Sequence, residues 1–447
     1  MFEGVKNIGI IGAARSGIAA AKLAKRKGFI PFVSDAKNPE QLQNVATELN
    51  ELGIDFEFGK HEKIFNSDLI IVSPGVPLYS EVVKKAIEKG IEIIGEIEFA
   101  YSFAKSKIVA VTGTNGKTTT TMLTSHLLNV AGINNKYAGN IGVAFSDVVD
   151  TLTEKDFAVL ELSSFQLDSI KNFCPDFAML LNITPDHLNR YDNKFENYIN
   201  SKFQIVKNQT EDDYFIINAE DENILRNLPA VKSRVFGFAI NERLINGAFA
   251  ESDKIYFSIT GKAEKVCDVN SLSLKGEHNL MNYLAVTAFA KLLGIDNETI
   301  SKAFATFENV EHRLEFVREL NGVTFVNDSK ATNTISTYYA LRSFERPVRL
   351  ILGGRDKGND YNEILDEVEN HVLKIYAIGE SAKKVFDFFS SKIETEIYSD
   401  FAQAIQSAYS EADKGDVVLL SPACASFDMF KDYEERGRVF KEIVNGL

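Results

Sequence analysis

Val109-Ala110-Val111-Thr112-Gly113-Thr114-Asn115-Gly116-Lys117-Thr118-Thr119 decides how this chain is read. An apolar run ends in a turn of small residues, a lysine and hydroxyls follow, and a helical pattern continues with Met122, Leu123, Leu127 and Val130 on one side. Strand, turn and helix in that order make a phosphate-binding loop. Glycines let backbone N–H groups close on phosphate oxygens, and the helix turns its positive end toward them. Lys117 supplies a point charge, and Thr118 an oxygen for Mg²⁺. The match to G-x-x-x-x-G-K-[ST] departs at its first glycine, where Val111 stands. An ordinary strand–turn–helix junction has no need of Lys-Thr-Thr at the helix start, so nucleoside triphosphate chemistry is expected.

Outward from this loop, apolar runs alternate with helical patterns, which predicts α/β architecture with parallel sheets. The 447 residues allow about three domains. Before the loop, strands are expected at Val5–Gly12, Phe32–Asp35 and Leu69–Val72, with a helix over about Gly17–Lys27. After it come strands at Phe157–Glu161, Ala178–Asn182 and Tyr214–Ile217, shorter strands and turns over Val235–Leu274, and a helix over Asn279–Leu293. A last group reads as strands at Val323–Val326, Val348–Leu352, Lys374–Ile378 and Val417–Leu420. Ligands of open parallel sheets bind beyond the carboxyl ends of the strands, and nearly every polar motif of this chain sits at such an end.

Composition sets bounds. Hydrophobic residues at 45% and charged residues at 25% are ordinary for a globular protein. A net charge of −14 argues against nonspecific nucleic-acid binding as the main role. The three cysteines, Cys174, Cys267 and Cys424, have no paired spacing, so neither a disulfide framework nor a zinc site is expected. With no charged-then-apolar leader and no apolar run long enough for a bilayer, a cytoplasmic protein is expected.

Gly12-Ala13-Ala14-Arg15-Ser16-Gly17 follows the first strand and Asp35 ends the second, a pattern close to a dinucleotide-binding turn with its acidic ribose partner. Ala14 replaces the middle glycine, and a plain tight turn fits as well as a nucleotide site. Glu161, in Glu161-Leu162-Ser163-Ser164, ends an uncharged strand beside the phosphate loop, where a carboxylate is placed to hold Mg²⁺. His187 adjoins Asp186 beyond another strand. Lys202 reads, on pattern alone, as a surface helix lysine. Asn279 and Asn282 are a helical turn apart and suit either ligand binding or capping. Asn327-Asp328-Ser329-Lys330-Ala331-Thr332-Asn333, Gly353-Gly354-Arg355-Asp356-Lys357-Gly358 and Ser421-Pro422-Ala423-Cys424-Ala425-Ser426-Phe427-Asp428 end three strands of one sheet, which favours a binding face.

Together these motifs resemble the Mur ligase family across the whole chain, in order. The phosphate loop, Glu161–Ser164, Asn327–Asn333 and Ser421–Asp428 carry the resemblance, and the last two favour the D-glutamate-adding branch. The Asp-Asn-Pro-Arg motif that marks the diamino-acid-adding branch is absent from the sequence. The resemblance implies three domains: a Rossmann-like UDP-substrate domain at 1–106, a P-loop ATPase-like centre with a mostly parallel sheet at 107–313, and a Rossmann-like amino-acid domain at 314–447. It implies a monomer that uses ATP and Mg²⁺ at two sites, with UDP-N-acetylmuramoyl-L-alanine and D-glutamate as substrates, in peptidoglycan precursor synthesis. Carried over by position, Gly113, Thr114, Asn115, Gly116, Lys117, Thr118 and Thr119 hold the ATP phosphates, with Lys117 on the transferring group. Thr118, Glu161, His187 and Lys202 serve the metals, Ser163 lies beside them, and Lys202 is the lysine carbamylated by CO₂. Asn279, Asn282, Arg313 and Asp328 fall in the ATP subsite. Arg15, Ser16, Asp35, Ser73, Pro74, Gly75 and Asn140 fall on the UDP-substrate. Lys330, Thr332, Lys357, Ser426 and Tyr433 fall in the D-glutamate region, where the family often has Phe in place of Tyr433.

Three other readings compete. One is another Mur-type or a folylpolyglutamate-type ligase with a different acceptor, of which the folylpolyglutamate type would not need the N-terminal glycine turn. A dinucleotide-dependent oxidoreductase leaves the phosphate loop unexplained. A noncatalytic nucleotide switch would not require the C-terminal polar cluster.

Overall fold

The computed structural model describes residues 2–308, 311–344, 347–356 and 358–447. Three sheets organise the chain. The first has the order β3-β2-β1-β4-β5, from β1 Asn7–Ile11, β2 Ile30–Asp35, β3 Asp55–Phe58, β4 Leu69–Val72 and β5 Glu92–Gly95, all parallel. Its central strands β1 and β4 are covered on both faces, which is why they read as continuous apolar runs rather than alternating ones.

The second sheet begins with β6 Lys107–Thr112, β7 Asn135–Gly139, β8 Phe157–Glu161 and β9 Phe177–Leu180. It continues with β10 Tyr214–Asn218, β11 Arg234–Ala239, β12 Gly247–Glu251, β13 Lys254–Ile259 and β14 Lys262–Asp268. The order is β14-β13-β12-β11-β10-β9-β6-β8-β7, parallel except for the antiparallel β12-β13-β14 ribbon. The third sheet takes β15 Glu315–Leu320, β16 Val323–Asn327, β17 Val348–Gly353, β18 Val372–Ile378, β19 Glu394–Tyr398 and β20 Val417–Leu420 in the order β15-β16-β20-β17-β18-β19, with only β15 antiparallel.

Packing divides the chain into two compact units. One takes the chain up to Ser273 together with Leu280–Phe307 and holds the first two sheets; the other takes Leu274–Asn279 and the chain from Glu308 and holds the third. In the first unit one apolar core runs from Ile8, Ile10 and Leu23 through Phe99 to Phe145, Leu160 and Phe173. The short helix Glu96–Tyr101 bridges the two sheets there, and two of its acids are buried with it. Glu98 accepts backbone N–H groups from Lys171 at 2.9 Å, Asn172 at 2.8 Å and Phe173 at 2.9 Å, which satisfies a carboxylate taken out of water. Glu96 is less well served. Its Oε1 accepts Ser146 N–H at 2.7 Å, while Oε2 and the neighbouring Ser146 Oγ have no hydrogen-bond partner among the described residues. Burial pushes the Glu96 carboxyl up to about 7. Among the described residues no helix is long and apolar enough to cross a membrane.

Candidate active site

At the end of β6 the chain turns through Gly113 (φ 156°) and Gly116 (φ 81°) into the helix Lys117–Val130. Gly116 needs its left-handed backbone, and a Cβ there would press on Asn282 Oδ1. Asn182, just past β9, locks the loop. Its Oδ1 accepts Asn115 N–H at 2.8 Å, and its Nδ2 donates to the Asn115 carbonyl at 3.1 Å. The Lys117 ammonium folds over the turn and donates to the carbonyls of Gly113 at 2.8 Å and Thr114 at 2.7 Å. The chain has thus built a rigid, cationic, glycine-lined turn at a helix start, the geometry that receives phosphate oxygens.

Glu161, the last residue of β8, is 1% exposed and is the hub beside this loop. Its Oε2 accepts the Thr118 hydroxyl at 2.7 Å and its Oε1 accepts Asn140 Nδ2 at 2.8 Å. A threonine hydroxyl and a carboxylate side by side form a hard-oxygen pair of the kind Mg²⁺ accepts. Among the described residues no three His, Cys, Asp or Glu side chains cluster as a metal cage. Mg²⁺ at a phosphate site normally takes one or two carboxylates, water and substrate phosphates, so the pair fits that mode. Ser163 caps the helix Ser164–Leu167 and exchanges bonds with Gln166.

Lys202 departs from its pattern reading. On the helix Phe195–Phe203 it is 1% exposed, not a surface lysine, and its Nζ donates to the Gly113 carbonyl at 2.7 Å. One carbonyl oxygen therefore receives both lysine nitrogens. Burial, with Lys117 beside it, holds the Lys202 amine well below the ordinary lysine range, against the pull of Asp186, Asp168 and Glu161. A buried amine that gives up its proton readily has the reactivity needed to take up CO₂. His187 sits in the left-handed region (φ 54°), edge-on to Phe165 at 5.0 Å between ring centres, with Nε2 3.6 Å from Asp186 Oδ2.

The turn after β1 is tightly stitched. Gly12 has φ 100°, and a side chain on Gly17 would collide with the Gly12 carbonyl. The helix after this turn spans Arg15–Arg26, two residues earlier than its pattern predicts. Asp35 accepts Ala13 N–H at 2.7 Å and Lys37 N–H at 2.9 Å, so it fixes the turn while its second lone pairs stay available. Ser73 Oγ donates to the Gly12 carbonyl at 3.1 Å. Two arginines join this region to the second sheet. Arg190 donates to the carbonyls of Pro74 at 2.6 Å and Val76 at 3.2 Å, and Arg15 donates to the carbonyls of Gly142 at 2.6 Å and Asn140 at 3.4 Å. Ser73-Pro74-Gly75, the Arg15–Ser16 turn and the Asn140 loop are thus brought together, and Asn140 continues the chain of contacts to Glu161.

In the second unit, Asp328 follows β16 and is 3% exposed. It accepts Ser421 Oγ at 2.8 Å and Leu314 N–H at 3.2 Å. Burial pushes its carboxyl up to about 7, although Arg313 and Ser421 favour the ionised form. Lys330 Nζ donates to Tyr433 Oη at 3.2 Å and lies 5.0 Å from that ring's centre. Ser426 is buried at the end of the β20 loop and Thr332 is half-buried on the stretch after Asp328. Lys357 lies outside the described residues. Asn279 Nδ2 donates to the Lys275 carbonyl at 2.8 Å, while in the first unit Asn282 Oδ1 accepts the Thr120 hydroxyl at 3.1 Å.

Arg436 is the residue that patterning missed. It is fully buried on the helix Tyr433–Gly446. Its guanidinium donates to Ser329 Oγ at 2.9 Å, the Ser329 carbonyl at 2.7 Å and the Cys424 carbonyl at 3.2 Å, which ties the Asp328–Lys330 stretch to the Ser421–Asp428 loop. Its place in a charged helix, among Glu434, Glu435 and Arg438, gives no sequence signal of that role. Asn182 and Arg190 lie inside a quoted motif but are assigned no part by pattern.

Comparison with known proteins agrees with this geometry. The family profiles described as Mur ligase MurD-like, N-terminal domain, Mur ligase middle domain, and Mur ligase, glutamate ligase domain match residues 6–95, 111–290 and 312–424. The chain is 45% identical to a UDP-N-acetylmuramoylalanine–D-glutamate ligase of Christiangramia forsetii, over 99% of this chain and 100% of that protein. It is 43% identical to the protein of the same name from Bacteroides fragilis, over 99% and 100%. Among solved structures, the UDP-N-acetylmuramate-alanine ligase MurC of Thermotoga maritima superposes with a TM-score of 0.63 at 20% identity, covering 99% of both chains. MurF ligase of the same organism, in complex with ADP, gives 0.62 at 17% identity over 93% of this chain and 95% of that one. The structural likenesses establish the fold, and the full-length identity establishes kinship: this chain belongs to the Mur ligase family.

Proposed function

We propose that this protein is an ATP-dependent ligase that adds D-glutamate to UDP-N-acetylmuramoyl-L-alanine in peptidoglycan precursor synthesis. The observation that carries the reading is the loop at Gly113–Lys117 with Glu161 and Thr118 bonded beside it and Lys202 buried against its first carbonyl. The relatives named for this activity, matched end to end, support the substrate pair.

A carboxylate is a poor acylating agent, so the lactyl-alanyl carboxylate first attacks the γ-phosphorus of ATP. ADP leaves and an acyl phosphate forms. The D-glutamate amine then attacks the acyl carbon, loses a proton, and the tetrahedral intermediate expels phosphate. In the first step negative charge moves from the attacking carboxylate, through the transferring phosphoryl group, onto the β–γ bridging oxygen that leaves with ADP. Lys117, at the start of the helix that follows the loop, and the N–H groups of the loop supply the positive charge that would neutralise it. Mg²⁺, when bound, supplies further charge neutralisation to the phosphates, and Thr118 and Glu161 are the residues to hold it. His187 and Lys202 are the candidates for a second metal, with Lys202 as its carbamate, because an ammonium there would repel a cation.

Asp35, Ser16 and Ser73–Gly75 bind the UDP end, with Arg15 and Asn140 carrying the contact toward Glu161. In the second unit Arg313 and Asp328 serve the nucleotide. Lys330, Thr332, Ser426 and Tyr433 receive the two carboxylates of D-glutamate, with Lys357 assigned to the same region by position. The working domains are 1–106, 107–313 and 314–447. The test is phosphate release from ATP with each candidate amino acid, with and without UDP-N-acetylmuramoyl-L-alanine. Release that requires both this nucleotide and D-glutamate is expected, and equal release with L-lysine or meso-diaminopimelate refutes the assignment.

A further inference from the structure

The bonds that Asn182 makes fix which way one peptide of the phosphate loop faces. Thr114 N–H donates to the Asn182 carbonyl at 3.0 Å and Asn115 N–H to Asn182 Oδ1 at 2.8 Å, while the Thr114 carbonyl accepts Lys117 Nζ at 2.7 Å. The Asn115 carbonyl accepts Asn182 Nδ2 at 3.1 Å. Only this setting of the carboxamide gives the Asn115 N–H an acceptor and the Asn115 carbonyl a donor.

The segment that carries Asn182 is itself anchored. Ile183 N–H donates to Asp221 Oδ2 at 2.9 Å, and Asn223 Nδ2 donates to the Ile183 carbonyl at 2.8 Å. Thr184 N–H donates to Thr114 Oγ1 at 3.0 Å. Asn182 therefore holds Asn115 from a fixed base.

A trans peptide is planar, and its carbonyl and N–H point to opposite sides. With the Asn115 carbonyl turned onto Asn182, the N–H of the same peptide unit, that of Gly116, is turned away from it. This N–H has no hydrogen-bond partner among the described residues. Gly116 has φ 81°, and glycine tolerates either orientation of the peptide before it. The backbone alone therefore does not stop this peptide from flipping. A flipped peptide would set a carbonyl oxygen, in place of an N–H, against the oxygens of a phosphate. We propose that Asn182 is a positioning residue for the nucleotide: its amide holds the Asn115 carbonyl back and so keeps the Gly116 N–H presented to a phosphate oxygen before the nucleotide arrives. This rests on the loop being the ATP phosphate site, as in the proposed function.

The experiment measures binding of Mg²⁺-ADP by calorimetry and of adenosine by ligand-observed NMR, for the full wild-type chain and Asn182→Ala, beside a crystal structure of the wild type with ADP. Asn182→Ala binds ADP about tenfold or more weakly, the loss expected for one hydrogen bond to a charged group, while adenosine moves less than about twofold. A merely structural loosening moves both alike. In the wild-type complex Gly116 N lies within about 3.2 Å of a phosphate oxygen, with Asn182 Nδ2 still on the Asn115 carbonyl. That observation needs no substitution and holds even if the variant fails to fold. ADP binding undiminished in Asn182→Ala, equal weakening of ADP and adenosine, or a bound phosphate that the Gly116 N–H does not touch overturns the proposal and leaves the ATP site standing. A wild-type chain that binds no ADP overturns the ATP site and this inference with it.

Discussion

Replacing Glu96 by Gln should stabilise this protein at neutral and alkaline pH, although it removes a charge that the chain went to some length to enclose. Glu96 is fully desolvated between the first two sheets, with one oxygen on Ser146 N–H and the other unmet. Its carboxyl sits at about 7 in the folded protein against an ordinary value of 4.5. The folded state therefore holds a proton that the unfolded chain releases between those values, and stability falls as pH rises through that window. Below pH 4.5 nothing is lost, and above about 7 the loss is complete. At about 1.4 kcal/mol per pH unit, the gap amounts to ~3 kcal/mol. A glutamine cannot ionise. Its carbonyl keeps the Ser146 N–H bond, and its amide can donate to the orphaned Ser146 Oγ. Urea unfolding of wild type and Glu96→Gln at pH 4.5, 6 and 8 isolates this residue, because every other titrating group is common to both. The variant should match the wild type within about 0.5 kcal/mol at pH 4.5 and exceed it by about 2–3 kcal/mol at pH 8. Parallel pH profiles for the two proteins would refute the reasoning.

Lys117→Ala should lower ATP-dependent ligation about a hundredfold or more with little change in melting temperature, since Lys202 still satisfies the Gly113 carbonyl; near-normal turnover in a folded variant rejects the phosphate role. Lys202→Ala should abolish activity, and added short-chain carboxylic acids should restore part of it by supplying oxygens in the vacated space. Near-wild-type activity without such acids rules out the carbamate. Asp35→Ala should raise KM for the UDP-substrate about tenfold while that for D-glutamate moves less than about twofold, and an unmoved KM for the UDP-substrate makes Asp35 purely a brace for the turn at Ala13.

The central strands of all three sheets were legible as apolar runs because both their faces are covered. The strands that patterning does not mark, β3, β5, β7, β15 and β19, are all edge strands. β3 buries one residue in four and β15 none in six, so the alternation that signals a strand is diluted by solvent. The site divides in the same way. Lys117, Thr118 and Glu161 announce themselves because glycine, lysine, hydroxyl and carboxylate stand at strand ends. Lys202 does not, since nothing in Tyr198–Phe203 shows that this face of the helix is roofed by the phosphate loop. Arg436 and Arg190 act through carbonyl oxygens distant in sequence, and a backbone acceptor leaves no mark on composition.

The bonds from Glu98 to residues 171–173, and from Arg190 to Pro74 and Val76, bear on how separable the N-terminal sheet is from the second sheet. A chimera that grafts a foreign first domain onto this chain at residue 106 brings the wrong acid to Lys171–Phe173 and the wrong carbonyls to Arg190. Exchange among relatives succeeds only if the receiving loops travel with the graft. The first sheet is therefore bonded to the second as part of one folding unit and is not an independent cassette in this chain.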